Sequence, residues 1–277
     1  MSERINAFEA IAMVPGWVPE LAEIEVLQGG LTNRSYYIRV DGMECVLRLE
    51  SAQSAPFRFD RTLELRILER AAGAGLAPKV VFADVDAGVL VTEFLHGRVW
   101  EAADLKSSQN LEALAALLCK VHALPKSGLQ IDIAKLASTY QHYLAQRHGP
   151  YAFASTCVDI VRSVPVNETL VCCHNDIVAA NIVADDDLQL IDWEFACDHD
   201  PLFDLASAIG FHDLTRAQAD VLLNAYSGGA GAEQREHLAE QVRVYDAIQW
   251  LWLAIRQLIF PDREQARRLE ALQQRIR

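Results

Sequence analysis

Along this chain the apolar positions recur first with a period of two and later with the period of a helix, and the change falls near residue 95. Residues 6–13 predict a short amphipathic helix, ended by Pro15-Gly16. A strand is expected over about 22–28, followed by a turn at Gln28-Gly29-Gly30-Leu31-Thr32-Asn33-Arg34-Ser35. Ser35 to Val40 and Met43 to Leu49 read as strands joined at Asp41-Gly42, a strong hairpin signal. Side chains alternate faces along a strand, so Val46 and Arg48 share one face while Cys45, Leu47 and Leu49 share the other. A helix is expected from about Arg58 to Ala72, closed by Gly73 and Gly75, with Glu64 on the face of Ile67 and Leu68. Strands follow from Pro78 to about Ala83 and from Val89 to Phe94, turning at Asp86-Ala87-Gly88, and Leu95-His96-Gly97 breaks the second.

Beyond that break the pattern is helical. Leu111, Leu114, Leu117, Leu118 and Val121 make one apolar face, with His122 at its end as a packed residue. Helices are expected near 134–147 and 151–163, and Thr169 to Cys173 is a short buried strand. Asp185-Asp186-Asp187 lacks the later ligands of a calcium loop and reads as a solvated hairpin tip. A long helical pattern covers about 232–260, after the short flexible link Gly228-Gly229-Ala230-Gly231, and a polar helix follows Pro261. No internal repeat or low-complexity segment is visible.

The 277 residues suffice for one large domain or two with real cores, and a hydrophobic content of 51% makes the chain globular. A formal net charge of −13 argues against a nucleic-acid partner, whose phosphates need a basic surface. It is compatible with a cationic small substrate, although acidity also serves solubility. Cys45, Cys119, Cys157, Cys172, Cys173 and Cys197 form no C-x-x-C pair, which speaks against zinc. The N-terminus lacks the features of a secretion signal, so reduced thiols in the cytosol, a cytoplasmic localisation, are expected. No apolar run approaches the length of a membrane span.

The chemistry concentrates in Cys173-His174-Asn175-Asp176-Ile177-Val178-Ala179-Ala180-Asn181 and in Leu190-Ile191-Asp192-Trp193-Glu194. A carboxylate in a tight loop, an amide five residues later and a second carboxylate ending an apolar strand suit phosphoryl transfer. Asp176 would accept the proton of an attacking hydroxyl, and Asn181 and Asp192 would hold Mg²⁺ ions that bridge the phosphates of ATP. The spacing H-x-D-x4-N before such a strand resembles the catalytic and metal segments of protein kinases. The wording His-Asn-Asp and Ile-Asp-Trp-Glu resembles more closely the choline kinase, thiamine kinase and aminoglycoside phosphotransferase family.

That resemblance runs from Gly29 to about Ala206 and implies an α+β, bilobal, protein-kinase-like fold. The lobes would be a small antiparallel-sheet, nucleotide-binding lobe over residues 1–94 and a larger, mainly helical, catalytic and substrate-binding lobe over 95–277. It implies that Gly30, Thr32 and Asn33 form a phosphate loop, that Arg48 contacts the phosphates, and that Glu64 pairs with Arg48, Glu69 being the competitor. Exposed salt bridging is the alternative for both glutamates, and an edge-strand arginine facing water is the alternative for Arg48. The adenine would bond the Glu93 carbonyl and the Leu95 amide at the hinge. Family members often show Gly-Asp-Pro-x-x-Asp-Leu-Ala where this chain has His199-Asp200-Pro201-Leu202-Phe203-Asp204-Leu205-Ala206, so His199 replaces a glycine. Asp204 would brace the catalytic loop through backbone amides.

The activity implied is ATP-dependent phosphorylation of a small alcohol. Choline or ethanolamine ranks first, thiamine second, then an aminoglycoside or sugar. For a cationic acceptor the candidates are Asp198 and Asp200, with Trp250 and Trp252 on the late helix, since aromatic faces attract amines. Those tryptophans do not share a helical face, so at most one reaches the acceptor. A different reading is a metal-dependent phosphohydrolase built on His174, Asp176, His199, Asp200, His212 and Asp213. A catalytically dead binding module on the kinase fold is a third, with every catalytic position occupied against it.

Overall fold

In the computed structural model, residues 5–27, 33–51, 60–147 and 152–277 are described. The chain divides into two compact units, residues 1–99 with 181–196, and residues 100–180 with 197–277.

The first unit is built on a five-stranded antiparallel sheet. Its strands are β1 (Glu23–Leu27), β2 (Asn33–Val40), β3 (Met43–Glu50), β4 (Val80–Asp84) and β5 (Val89–Glu93), in the order β1-β2-β3-β5-β4. Asp41 and Gly42 both have positive φ, 50° and 76°, the geometry that a two-residue hairpin matching strand twist requires. The alternation in β3 is as read from the sequence. Cys45, Leu47 and Leu49 are buried together with Ala10, Ile11, Val14 and Trp17, from and just after α1 (Ala7–Met13). The Asn6 side chain caps α1 by accepting the Glu9 amide at 2.9 Å, and Glu9 returns the bond to the Asn6 amide.

Helix α2 spans Arg61–Gly73, and Asp60 caps it by accepting the Leu63 amide at 2.9 Å. The expected start near Arg58 falls outside the described residues. A three-stranded sheet follows, β6 (Arg98–Val99), β8 (Ile182–Ala184) and β9 (Leu188–Leu190), in the order β6-β8-β9. The Leu190 amide donates to the Leu76 carbonyl at 2.8 Å. These pairings bind residues 181–196 to the first unit, a long-range return that a single cut after residue 94 does not contain.

The second unit is helical: α3 (Ser108–His122), α4 (Ile133–Ala145), α5 (Ala152–Ser163), α6 (Pro201–His212), α7 (Arg216–Ser227), α8 (Ala232–Ile259) and α9 (Arg263–Ile276). Strands β7 (Val171–Cys173) and β10 (Cys197–His199) pair antiparallel, with Cys173 opposite Cys197. Helix α7 was not read from the sequence. Its capping box joins Thr215 and Gln218, and Leu222 and Leu223 are its buried positions. Gly228 closes it in the left-handed region, so the glycine link into α8 is a helix cap. No helix among the described residues is long and apolar enough to cross a membrane.

Helix α6 is buried almost throughout, and Gly210 lets α8 approach it closely. A Cβ at Gly210 would stand 2.7 Å from Tyr245 Cδ1 and 2.8 Å from Asp246 Oδ1. Gly210→Ala is therefore expected to cost about 1–3 kcal/mol through overpacking. Gly73→Ala, where a Cβ meets nothing within 4 Å, should be neutral or slightly stabilising. Denaturant unfolding of both variants checks the contrast.

Candidate active site

In the second unit the loop carrying Asp176 hangs from one helix. Asp204, in the first turn of α6, has no exposed surface, and its two oxygens accept the His174 amide at 3.0 Å and the Asn175 amide at 2.6 Å. One turn on, the Ser207 hydroxyl accepts the Ile177 amide at 2.9 Å. At the end of α6, His212 Nε2 accepts the Ala179 amide at 3.0 Å. Four loop amides thus end on three side chains of α6, and Asp176 lies half-buried among them. Asn175 takes the left-handed conformation with φ 66°. Its side chain holds that turn by donating to Cys197 Sγ at 3.2 Å and accepting from His199 Nδ1 at 3.0 Å. His199, where family members often carry glycine, is buried edge-on to Phe203 at 4.4 Å and serves this turn.

The electrostatics favour a charged Asp204. Burial alone would raise its carboxyl, but the bond from His122 Nε2 at 2.9 Å and the charges and amides around it outweigh burial and hold it below its ordinary value. His122 also lies 2.8 Å from the Tyr226 hydroxyl, so it is a packed, bonded histidine as expected. His212 is lowered too, here toward the neutral form: burial first, then the charges of Arg268 and Lys106, bring it to about 4. The neutral ring that accepts the Ala179 amide is therefore the ground state.

In the first unit, Arg48 is not a solvent-facing edge residue. Its side chain is 15% exposed, and Nη1 lies 2.5 Å from Glu64 Oε1 and 3.6 Å from Asp192 Oδ1. Glu69 is exposed, so of the two glutamates it is Glu64 that meets Arg48. Burial would raise the Glu64 carboxyl, but Arg48 and Arg61 overcome it and hold it low. Asp192 stands at the end of the β8–β9 hairpin with φ 63° and a side chain 42% exposed. Asn181 is adjacent across the hairpin, its carbonyl accepting the Ile191 amide at 3.0 Å. Two residues with oxygen-bearing side chains, one a carboxylate, thus lie on neighbouring strand ends, and oxygen donors of this kind suit Mg²⁺.

Asn33 is buried and donates to Glu194 Oε2 at 2.8 Å. Gly30 and Thr32 lie outside the described residues. Glu93 ends β5 exposed, and the Phe94 amide beside it donates to the Glu44 carbonyl at 2.9 Å, with Leu95 half-buried next in line. The pairing of Arg61 with Glu194 and the His212 bond escaped the sequence reading. Arg61 stands three residues before Glu64 on one helix and Glu194 two after Asp192, which marks both as neighbours of site residues without showing that they meet; no local signal marks the His212 bond.

Three of the four residues expected to hold a cationic acceptor, Asp198, Asp200 and Trp250, are occupied otherwise. Asp198 accepts the Ser127 and Gly128 amides at 2.7 and 2.8 Å. Asp200 caps α6 through the Leu202 amide at 2.8 Å and binds His237, Asn167 and Gln241. Both carboxylates are buried, Asp198 against the segment after α3 and Asp200 at the start of α6, where backbone amides need acceptors. Trp250 is core, edge-on to Phe153 at 5.1 Å, whereas Trp252 is half-buried with Arg256 5.5 Å from its ring. The ligands of a hydrolase centre are scattered too, with His199 on Asn175, Asp200 at the helix cap, His212 on Ala179 and Asp213 on Arg275.

Since the folded pKa of His212 lies below its ordinary 6.5, the stability it contributes is full above pH 6.5 and gone once pH has fallen through about 4. Asp204, also lowered, adds loss at still more acid pH. His212→Gln keeps an acceptor but does not titrate. Its unfolding free energy should fall less steeply than the parent's between pH 6.5 and 4; equal slopes would remove His212 from this role.

Comparison with known proteins follows the same geometry. A family model described as the phosphotransferase enzyme family matches residues 23–240. Protein LicA of Haemophilus influenzae is 27% identical over 209 residues, 72% of this chain but only 61% of LicA's own length. Thiamine kinase of Salmonella choleraesuis is 31% identical over 234 residues, 83% of this chain and 79% of that enzyme. The crystal structure of a choline/ethanolamine kinase family protein from Mesorhizobium loti superposes with a TM-score of 0.76 at 23% identity, covering 98% of this chain and 92% of that one. The fold is therefore the protein-kinase-like α+β fold. With the match running from β1, through both segments that carry Asp176 and Asp192, and into α8, the chain belongs to the phosphotransferase enzyme family.

Proposed function

We propose that this protein is an ATP- and Mg²⁺-dependent kinase that phosphorylates the hydroxyl group of a small alcohol, choline or ethanolamine first. The observation that carries the reaction type is the suspension of the Asp176 loop from α6 by four amide bonds, which fixes a half-buried carboxylate in a rigid turn. A general base needs that fixed placement, and Asp176 would take the proton of the acceptor hydroxyl as its oxygen attacks the terminal phosphorus. Arg48, set by Glu64, would hold the nucleotide phosphates, and Gly30, Thr32 and Asn33 would line them with backbone donors. Glu93 and Leu95 would offer backbone bonds to adenine. Asn181 and Asp192 would hold Mg²⁺, which neutralises phosphate oxygens.

The choice of acceptor rests on the relatives. A likeness to a choline/ethanolamine kinase family structure supports an amino alcohol. Thiamine is the second reading, favoured by the higher identity and wider coverage of the Salmonella enzymes. Because Asp198, Asp200 and Trp250 are committed to the frame, a cationic head group would have to find its aromatic and acidic partners elsewhere, with Trp252 the remaining candidate of the four. An aminoglycoside or sugar acceptor remains the alternative within the family.

Three measurements test this. Choline, ethanolamine, thiamine and a neutral sugar are offered with Mg-ATP, and ADP release is followed. Release with an amine alcohol and not with the sugar supports the reading; release only with the sugar overturns the choice of acceptor and leaves the kinase. Asp176→Asn should bind nucleotide normally while turnover falls by about 10²-fold or more; turnover within a few-fold of the parent would remove Asp176 as base. Asp192→Ala should raise the magnesium requirement more than Asn181→Ala, since an amide lacks charge. Unchanged magnesium dependence in both would count against the metal assignment.

A further inference from the structure

Arg61 opens α2 and makes more bonds than any role above requires. Its side chain is 10% exposed, and all three guanidinium nitrogens are engaged. Nε donates to Glu50 Oε1 at 3.1 Å, and Nη2 to Asn33 Oδ1 at 3.0 Å. Nη1 donates to Glu64 Oε2 at 2.8 Å and to Glu194 Oε2 at 3.0 Å. Asn33 Nδ2 closes a ring by donating to the same Glu194 oxygen at 2.8 Å. Four segments of the first unit meet on this one side chain: the start of β2, the end of β3, the first turn of α2 and the turn after β9.

The division of labour at Glu64 is oxygen by oxygen. Oε1 faces Arg48 and Oε2 faces Arg61. Arg61 therefore fixes the plane of the carboxylate that Arg48 leans on. Two guanidiniums so near repel, and the four carboxylates of Glu50, Glu64, Asp192 and Glu194 offset that repulsion. Glu194 lies two residues past Asp192, and Asn33 stands three positions after Gly30 in the sequence. A lysine offers a point charge and cannot bond in three directions at once.

We propose that Arg61 is a positioning residue for the nucleotide–metal site. Acting through Glu64, Glu194 and Asn33, it holds Arg48, the Asp192 turn and the start of β2 in one frame, without touching a reacting atom. The proposal rests on the phosphotransferase reading above. Without Arg61, the buried Glu64 and Glu194 face one another and Asp192 with one cation fewer, and the frame loosens where phosphate and metal would be held.

The test is direct titration of a non-hydrolysable Mg-ATP analogue into the parent, Arg61→Lys, Arg61→Gln, Glu194→Gln and the Arg61→Gln/Glu194→Gln pair, with thermal unfolding of each. Arg61→Lys should bind about tenfold more weakly and Arg61→Gln more weakly still. The KM for ATP should follow, with the acceptor KM unmoved. The double variant should bind no worse than Arg61→Gln, the non-additivity expected of residues acting as a unit. Variants that melt earlier yet bind like the parent would make Arg61 purely structural and overturn the proposal, as would additive losses. Should the Arg61 variants fail to fold, Glu194→Gln carries the same expectation of weakened binding at an unchanged acceptor KM. A parent that binds no Mg-nucleotide would bring down the phosphotransferase reading and this proposal with it. A parent that binds while every variant binds equally would sink the Arg61 proposal alone.

Discussion

The second unit depends on a carboxylate that never meets water. Asp204 sits inside the first turn of α6, and both its oxygens are spent on amides of the loop that carries Asp176. A buried charge of this kind is costly unless it is fully bonded. Here the cost is offset by two amides, the His122 ring and a helix N-terminus whose partial positive charge favours an anion. These loop amides are met by no helix or sheet bond of the loop's own, so α6 accepts them, with Ser207 and His212 continuing what Asp204 begins. The same helix is closed by basic side chains on its last carbonyls, Arg275 on Gly210, Arg268 on Phe211 and Lys106 on His212, cations where the helix dipole favours them.

The first unit solves a related problem with ion pairs. Glu64 is buried between Arg48 and Arg61, and each guanidinium takes one of its oxygens. Such an arrangement adds little net stability, because desolvation consumes the attraction. What it supplies is direction: a charge in the sheet is aimed by a helix, and the turn after Asp192 is tied to both. The left-handed backbone at Asn175 and Asp192 belongs to the same economy of placement, since short polar residues tolerate φ near 60° where others would not.

These frames explain why acidic residues close in sequence to the loop that carries Asp176 are poor guides to substrate. Asp198 and Asp200 stand among motif residues and look available, but each is the acceptor for amides that the fold leaves open. His199 in place of a glycine changes a turn into a buried contact with Phe203 and a bond to Asn175, and so serves the loop.

The order of elements, the hairpin at Asp41-Gly42 and the facing of Arg48 were legible in the sequence, because each depends on local period or turn chemistry, and the bracing by Asp204 was implied by the family resemblance of the Asp200–Ala206 stretch. Helix α7 could have been read from its caps and apolar pair but was passed over. The return of residues 181–196 to the first unit was not legible, since it rests on pairing of β8 with β6 and a bond to Leu76, contacts separated by about a hundred positions. Nor could the sequence separate Glu64 from Glu69 by more than helical facing, or show that Arg61 and Glu194 would meet across the chain. The sequence by itself determined which residues are able to do the chemistry and in what order they come. Only the tertiary structure decided which of the many carboxylates are consumed in satisfying buried amides and cations, because that depends on which backbone groups lose their water when distant segments pack together.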